Sequence, residues 1–344
     1  MKIAIHHRSG SYSERWIEYC KQHNIQYKIV DAYANNILEQ IADCDAFMWH
    51  FHHHIHQDCL FAKQLIYVIE RLLGKDTYPN FDACWHFDDK VGQKYLLEAI
   101  GAYIVPTYIF YTQQDALDWI KETAFPKVFK LRIGSSSSNV LLIKNQKQAK
   151  RFVKKMFNNG TRTFRYFEQL KERYALYKRG YVSFRNLLGL LKIWTLHTYP
   201  NEYYKYHSNE FGYAYFQDFI PNNNYDIRVF VVGNKAIASK RINRENDFRA
   251  SGSRNMIYNK DEIDENCVKI AFDAAQKLQM PSVAFDFLHD KNGNPIITEI
   301  SYGRDNKNKG HTGYWTNDMQ WHESNNINIC DWIIEDLIKK TSML

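Results

Sequence analysis

Two hairpin signals in the last third of the chain constrain its fold more than any other feature. The first reads Val283-Ala-Phe-Asp286-Phe-Leu-His-Asp-Lys-Asn292-Gly293-Asn-Pro-Ile-Ile-Thr-Glu299-Ile-Ser301. Alternating apolar runs on both sides of Asn-Gly predict two antiparallel strands joined by a two-residue turn. Counting outward from Lys291 and Asn294 sets Asp286 opposite Glu299, with Cβ atoms about 5 Å apart, which is unfavourable for two bare carboxylates. A divalent cation removes that penalty, and magnesium favours one or two carboxylates plus substrate phosphates. Ser301 follows on the same face as a third oxygen. The competing reading is a surface hairpin with solvated charges.

The second signal is Tyr225-Asp226-Ile-Arg228-Val-Phe-Val-Val-Gly233-Asn234-Lys-Ala-Ile-Ala-Ser-Lys-Arg241. A Gly-Asn turn pairs Val232 with Lys235 and sets Asp226 opposite Arg241, with Arg228 on the same face. Either Asp226 and Arg241 form an ordinary cross-strand ion pair, or two guanidiniums converge on a site for phosphate or carboxylate oxygens. Upstream, Asp88-Asp89-Lys90 opens an amphipathic segment ending at Gly101, the pattern of an N-capped helix. Pro126-Lys-Val-Phe-Lys130-Leu-Arg132 alternates like a strand, and Gly134-Ser135-Ser136-Ser137-Ser138-Asn139 leads into strand-like Val140-Leu-Leu-Ile143. Small residues there permit close backbone approach to an anion; a flexible linker is the alternative.

In this order the residues resemble the ATP-grasp superfamily, in particular its glutathione synthetase and ribosomal-protein glutamate ligase branch. That branch carries an Asp-x-Arg strand, an Arg one hairpin later, a Phe-Arg loop and an Asp…Glu-x-Asn metal hairpin. Here these read Asp226-Ile-Arg228, Arg241, Asp247-Phe248-Arg249 and Asp286…Glu299-Ile-Ser301. The resemblance runs from about Asp88 to Gly303. It departs from the family at Ser301, where Asn is usual, and after Arg249, where an Asn and paired glycines are missing. It implies an α/β protein: an open α/β domain over 1–86, a central helix and small nucleotide-covering subdomain over 87–215, and a C-terminal ATP-grasp subdomain with the metal site over 216–340. It also implies roles. Lys90, Lys130, Ser135, Ser136 and Ser137 contact the phosphates of ATP, Gln217 and Phe219 form the adenine hinge, and Asp226 holds the ribose. Asp286, Glu299 and Ser301 ligate magnesium or manganese, and Arg228, Arg241 and Arg249 hold the reacting carboxylate. The activity implied is ATP-dependent ligation of a small-molecule or sugar-acid carboxylate to an amine through an acyl phosphate. A small-molecule kinase and a non-catalytic nucleotide-binding protein are the alternatives.

The first 86 residues alternate short strands and helices: Lys2–Ile5, a helix near Ser13–His23, Tyr27–Val30 and Ala46–Trp49. Ligands of open parallel sheets gather at the carboxyl ends of strands. Two such ends carry His6-His7-Arg8 and His50-Phe-His52-His53-His54-Ile-His56. Extended, His50, His52, His54 and His56 share a face, which leaves three readings: a zinc site, an acceptor-binding rim of His6, Arg8, His52 and His54 with Arg304 as a further anion contact, or a polar loop.

Residues 161–215 interleave aromatic and basic side chains, including Phe164-Arg-Tyr-Phe167, Tyr174, Tyr177-Lys-Arg179, Tyr181, Phe184-Arg185 and Tyr203-Tyr204-Lys-Tyr206. The resemblance implies that part of this segment belongs to the small nucleotide-covering subdomain, so most are expected in core or interdomain packing. The alternatives are an acceptor platform and a peripheral contact with a membrane surface. Forty-five Lys and Arg against 38 Asp and Glu suit anionic substrates without pointing to nucleic acid. Six cysteines without C-x-x-C spacing predict reduced thiols. No apolar signal or membrane-length run is present, so a cytoplasmic protein, monomeric or oligomeric, is the expectation.

Overall fold

The computed structural model describes the chain apart from residues 135–138, 163–165, 179, 197, 200–204, 207–208, 305–309 and 343–344. Its N-terminal region forms β1 (Lys2–His6), α1 (Tyr12–Gln22), β2 (Gln26–Val30), α2 (Ile37–Gln40), β3 (Ala46–Met48), α3 (His56–Tyr67), β4 (Asp76–Tyr78) and α4 (Phe81–Cys84). The four strands pair in parallel in the order β2-β1-β3-β4. Apolar β1 and β3 are central and buried, as a parallel sheet covered by helices requires.

Helix α5 (Lys90–Ala99) then leads to a second, antiparallel sheet. Asp89 caps this helix, its Oδ1 accepting from the Val91 and Gly92 N–H groups at 3.1 Å, a contact worth about 1 kcal/mol. The elements that follow are β5 (Thr107–Phe110), α6 (Gln113–Glu122), β6 (Lys127–Lys130), β7 (Val140–Ile143), α7 (Gln146–Phe157), α8 (Tyr166–Lys178), α9 (Phe184–Thr195) and β8 (Ala214–Asp218). The strand order is β5-β8-β6-β7. Helices α6 and α7 cover it around a core of its own that includes Phe129, Val153 and Phe216.

The third sheet is antiparallel and comprises β9 (Tyr225–Val232), β10 (Lys235–Ile242), β11 (Met256–Ile257), β12 (Ser282–His289), β13 (Pro295–Ser301), β14 (Gly313–Thr316) and β15 (Trp321–Glu323). It runs β13-β12-β9-β10-β14-β15, with β11 also on β10. Helices α10 (Glu265–Lys277) and α11 (Ile329–Thr341) cover one face. The N-terminal and third sheets share one apolar core, whereas the small middle sheet packs separately. The cleft opens between those two bodies.

Both hairpins keep their predicted pairing, but the first by a different route. Asp286 does face Glu299, yet the connection spans Asp290–Asn294, and Phe287 pairs with Ile297. The Asp290 carboxylate accepts from the Asn292 and Asn294 N–H groups and organises this longer loop, with Gly293 at φ +84°. A bulge at Thr298 absorbs the one-residue offset, its hydroxyl donating to the Asp286 carbonyl at 3.0 Å. The two departures cancel at the carboxylates.

Core packing accounts for only part of the described aromatics of 161–215. Tyr213 and Tyr215 are buried, but Tyr174, Tyr177, Tyr181, Phe184, Tyr199, Tyr206 and Phe211 are exposed. Phe164, Arg165, Tyr203 and Tyr204 lie outside the described residues. Among the described residues no helix is long and apolar enough to cross a membrane.

Candidate functional site

A cleft of ≈ 630 Å³ lies between the middle sheet and the shared core, within the range of small-molecule sites. Alternation in β12 turns Ala284, Asp286 and Leu288 into it while Phe285 and Phe287 enter the core. From the opposite wall β6 contributes Val128 and Lys130, and β8 contributes Gln217.

On the floor, carboxylates and guanidiniums interlock. Arg228 binds Asp286 side-on, Nε to Oδ1 at 2.6 Å and Nη2 to Oδ2 at 2.7 Å. Arg241 grips Asp226 in the same way at 2.6 Å and reaches Asp286 Oδ2 at 2.8 Å. Asp226 and Arg241 therefore form the cross-strand ion pair, buried rather than exposed, and Asp226 still lines the cleft. Burial pushes the Asp286 carboxyl up, but Arg228 and Arg241 outweigh it and hold the group well below the usual range. Glu299 sits differently. Its side chain is 38% exposed, and Oε1 meets Lys90 Nζ at 3.1 Å.

An ionised carboxylate has about four acceptor positions. Three on Asp286 are occupied by arginine N–H groups, leaving one on Oδ1, whereas Glu299 keeps most of its own. Ser301 donates its hydroxyl hydrogen to the Gly303 carbonyl at 3.0 Å, and its oxygen still has a lone pair. This all-oxygen donor set fits a hard divalent cation, with Glu299 as the principal ligand.

Lys90 and Lys130 flank the carboxylates. Lys90 also donates to the Gly134 carbonyl at 2.7 Å, while the Gly134 N–H donates to Asp88 at 2.8 Å, so the base of the serine loop is tied to α5. Burial works against the Lys90 ammonium, but Glu299 and Asp88 more than offset it and raise its pKa. Lys130 is 8% exposed, and its ammonium makes no hydrogen bond or ion pair among the described residues. Burial pulls its pKa down to about 8. Ser135, Ser136 and Ser137 lie outside the described residues. Gln217 donates through Nε2 to Thr107 Oγ1 at 3.0 Å. Phe219 packs edge-on against Phe248 at the cleft wall, and Arg249 lines the cleft while chelating Asp247 at 2.6–3.0 Å.

The N-terminal sheet supplies the rim. Arg8, His52 and His54 line the cleft together with Arg304. Two partners missed in the sequence hold this rim. Asp58, fully buried, accepts from Arg8 Nη1 at 3.0 Å and from the His52 N–H at 2.6 Å. Tyr12 stacks on His50 and bonds the Arg304 backbone. A first-turn Asp in α3 was the only signal for the former.

His6 does not belong to the rim. It turns into the core against Tyr33 and Trp49, and its Nδ1 accepts the Ala32 N–H at 3.0 Å. The extended His50–His56 pattern is likewise corrected, because a turn at His52–Ile55 breaks the alternation and His56 opens α3. His52, His53 and His54 bring ring nitrogens within 4.8 Å of one another. However, His52 Nδ1 accepts the His54 N–H at 3.2 Å, which keeps its proton on Nε2. Burial lowers His50 to about 3 and His52 to about 4, so near neutral pH the positive charge of the rim comes from Arg8 and Arg304.

Residues 212–313 match the family model of the RimK-like ATP-grasp domain. No curated protein matches the chain. Among solved structures, D-alanine–D-alanine ligase from Bacillus anthracis, complexed with ATP, aligns over 100% of this chain and 98% of its own, with TM-score 0.55 and 13% identity. A RimK domain ATP-grasp protein from Sphaerobacter thermophilus aligns over 87% and 90%, with TM-score 0.51 and 13% identity. The biotin carboxylase domain of the Hydrogenobacter thermophilus 2-oxoglutarate carboxylase, in complex with MgADP and bicarbonate, aligns over 98% and 69%, with TM-score 0.56 and 15% identity. The chain has the ATP-grasp fold, and the stretch that matches the RimK-like model covers its third sheet as far as β14.

Proposed function

We propose that this protein is an ATP-dependent ligase that joins a carboxylate to an amine, releasing ADP and phosphate, with an acyl phosphate between. The observation that carries the nucleotide half is Lys130. An ammonium buried with no hydrogen-bond or ion-pair partner among the described residues is costly, and its position beside Lys90, Glu299 and Asp286 suits the phosphates of a nucleotide. Arg8, Arg249 and Arg304 line the same cleft as Lys130, Arg228 and Arg241, a set of cations that suits an anionic ligand.

In this reading Lys90 and Lys130 fix the phosphates, and Gln217 with Phe219 borders the base. A divalent cation held by Glu299, the remaining lone pair of Asp286 and Ser301 supplies neutralisation of charge on the transferring phosphoryl group. Arg228 and Arg241 use Nε and Nη2 on the carboxylates, so each retains Nη1 as a donor for the acyl oxygens. Arg249 borders the same space, and Arg8 and Arg304 hold the anionic end of the acceptor.

Calorimetric titration of Lys130→Ala tests the assignment. ATP affinity should fall about tenfold to a hundredfold, the range of charge-assisted hydrogen bonds, while adenosine binds as in the parent. Equal losses for both ligands would remove the lysine from the phosphates.

A further inference from the structure

The α8–α9 hairpin has a composition that the nucleotide cleft does not use. A helix on a protein surface ordinarily turns polar side chains outward. Helix α9 instead reads Phe184-Arg-Asn-Leu-Leu-Gly-Leu-Leu-Lys-Ile-Trp-Thr195. Leu190 is its buried anchor, while Phe184 is 56% exposed and Leu188 47%. The patch continues onto α8: the Tyr177 ring lies 5.9 Å from Phe184, and exposed Tyr174 is one turn further back. Contiguous apolar surface of this kind marks an interaction site.

Charge identifies the partner. Residues 166–195 hold six Lys and Arg against two Glu, and the basic groups border the aromatics. Lys178 lies over the Tyr174 ring at 5.2 Å, and Arg185 and Lys192 are exposed on α9. Aromatic and leucine side chains flanked by Lys and Arg suit the boundary between anionic headgroups and acyl chains. Twelve residues of α9 span about 18 Å, too short to cross a bilayer but enough to lie on one.

We propose that the α8–α9 hairpin docks the protein peripherally on anionic lipid bilayers. The hairpin and the segment after it lie near two loops that lead into the cleft, those carrying Arg249–Ser251 and His52–His54. Tyr181 stacks under Arg254 at 5.6 Å in the β10–β11 connection, and the Tyr206 ring beyond α9 lies 4.5 Å from His56 at the start of α3. Docking there brings the cleft entrance beside the membrane, where an acceptor with a lipid-borne end is presented. The docking itself does not depend on the reaction the cleft performs.

The test is co-sedimentation of the full chain with vesicles of phosphatidylcholine alone and of phosphatidylcholine mixed with phosphatidylglycerol. The parent should bind the anionic vesicles, more weakly as salt rises, and leave the neutral ones largely unbound. Lys178→Ala with Arg185→Ala should lower binding about 25-fold, at about fivefold for each basic side chain near an anionic surface. Phe184→Ser with Leu188→Ser should also abolish it. Far-ultraviolet circular dichroism and ADP affinity, unchanged in both double variants, establish that they fold. Parent protein that ignores anionic vesicles, or variants that bind as the parent does, would overturn the proposal. So would a dimer in sedimentation velocity that the Phe184→Ser, Leu188→Ser pair dissolves without any vesicle binding, because a second copy would then be the occupant.

Discussion

Replacing Lys130 with Met should stabilise the ligand-free protein and remove its response to nucleotide. The ammonium has a pKa of about 8 in the fold against an ordinary 10.5. At 1.36 kcal/mol for each pKa unit, keeping it charged inside the protein costs about 3 kcal/mol. Because the folded value lies below the unfolded one, stability is greatest above about 10.5 and is lost as the pH falls through about 8, so the penalty is complete at neutral pH. Methionine has a similar length and no charge to desolvate. Urea unfolding at neutral pH should therefore show the variant more stable by up to about 3 kcal/mol. Saturating ADP, at a hundred times its dissociation constant, should add about 2.7 kcal/mol to the parent and far less to Lys130→Met. A variant that unfolds earlier than the parent without nucleotide, or keeps the full gain from ADP, would refute the view that this lysine is held in store for phosphate.

The two carboxylates should separate when replaced. Glu299→Gln, at a partly exposed position, should lose metal-dependent turnover with a smaller stability loss than Asp286→Asn, because Lys90 keeps Asp88 and the Gly134 carbonyl. Asp286→Asn strips the charge that faces two arginines and should cost about 3–5 kcal/mol as well as activity; equal stability of the two variants would contradict this. His52→Ala with His54→Ala should raise the Michaelis constant for the acceptor and leave ATP affinity and metal content unchanged, whereas loss of stoichiometric zinc would restore the metal reading. Buried neutral His50 and His52 have lowered pKa values, so the unfolded chain binds more protons below about pH 6.5 and stability falls from there toward pH 4. A flat acid limb in urea midpoints across that window would count against their burial.

The hairpins were legible because strand pairing is governed by a period of two, and the carboxylates inherit their opposition from it. The bulge at Thr298 was not legible. Nothing in Ile-Ile-Thr-Glu announces an extra residue, and the pairing survived only because the Asp290–Asn294 loop shifted the count the other way. The ends of β1 and β3 were located correctly, yet alternation predicts nothing once the chain leaves the strand. His6 was claimed by Tyr33 and Trp49 from elements distant in sequence, and the turn at His52 cancelled the shared face of the histidines. Asp58 was invisible for a related reason: its partners Arg8 and His52 come from two different loops. Composition could not sort the aromatics of 161–215, and only their three-dimensional neighbours separate the buried Tyr213 and Tyr215 from the exposed Phe184.

The central claim is tested most directly by product analysis. The protein is incubated with ATP, magnesium and a panel of acids and amines that includes amino acids and uronic acids, and ADP, free phosphate and organic products are measured together. A ligase releases ADP and free phosphate in equal amounts only when a matching acid and amine are both present, and the product carries a new amide. Phosphate retained on an organic product would identify a kinase. ADP that never forms with any pair, although the protein binds ATP, would contradict the catalytic account.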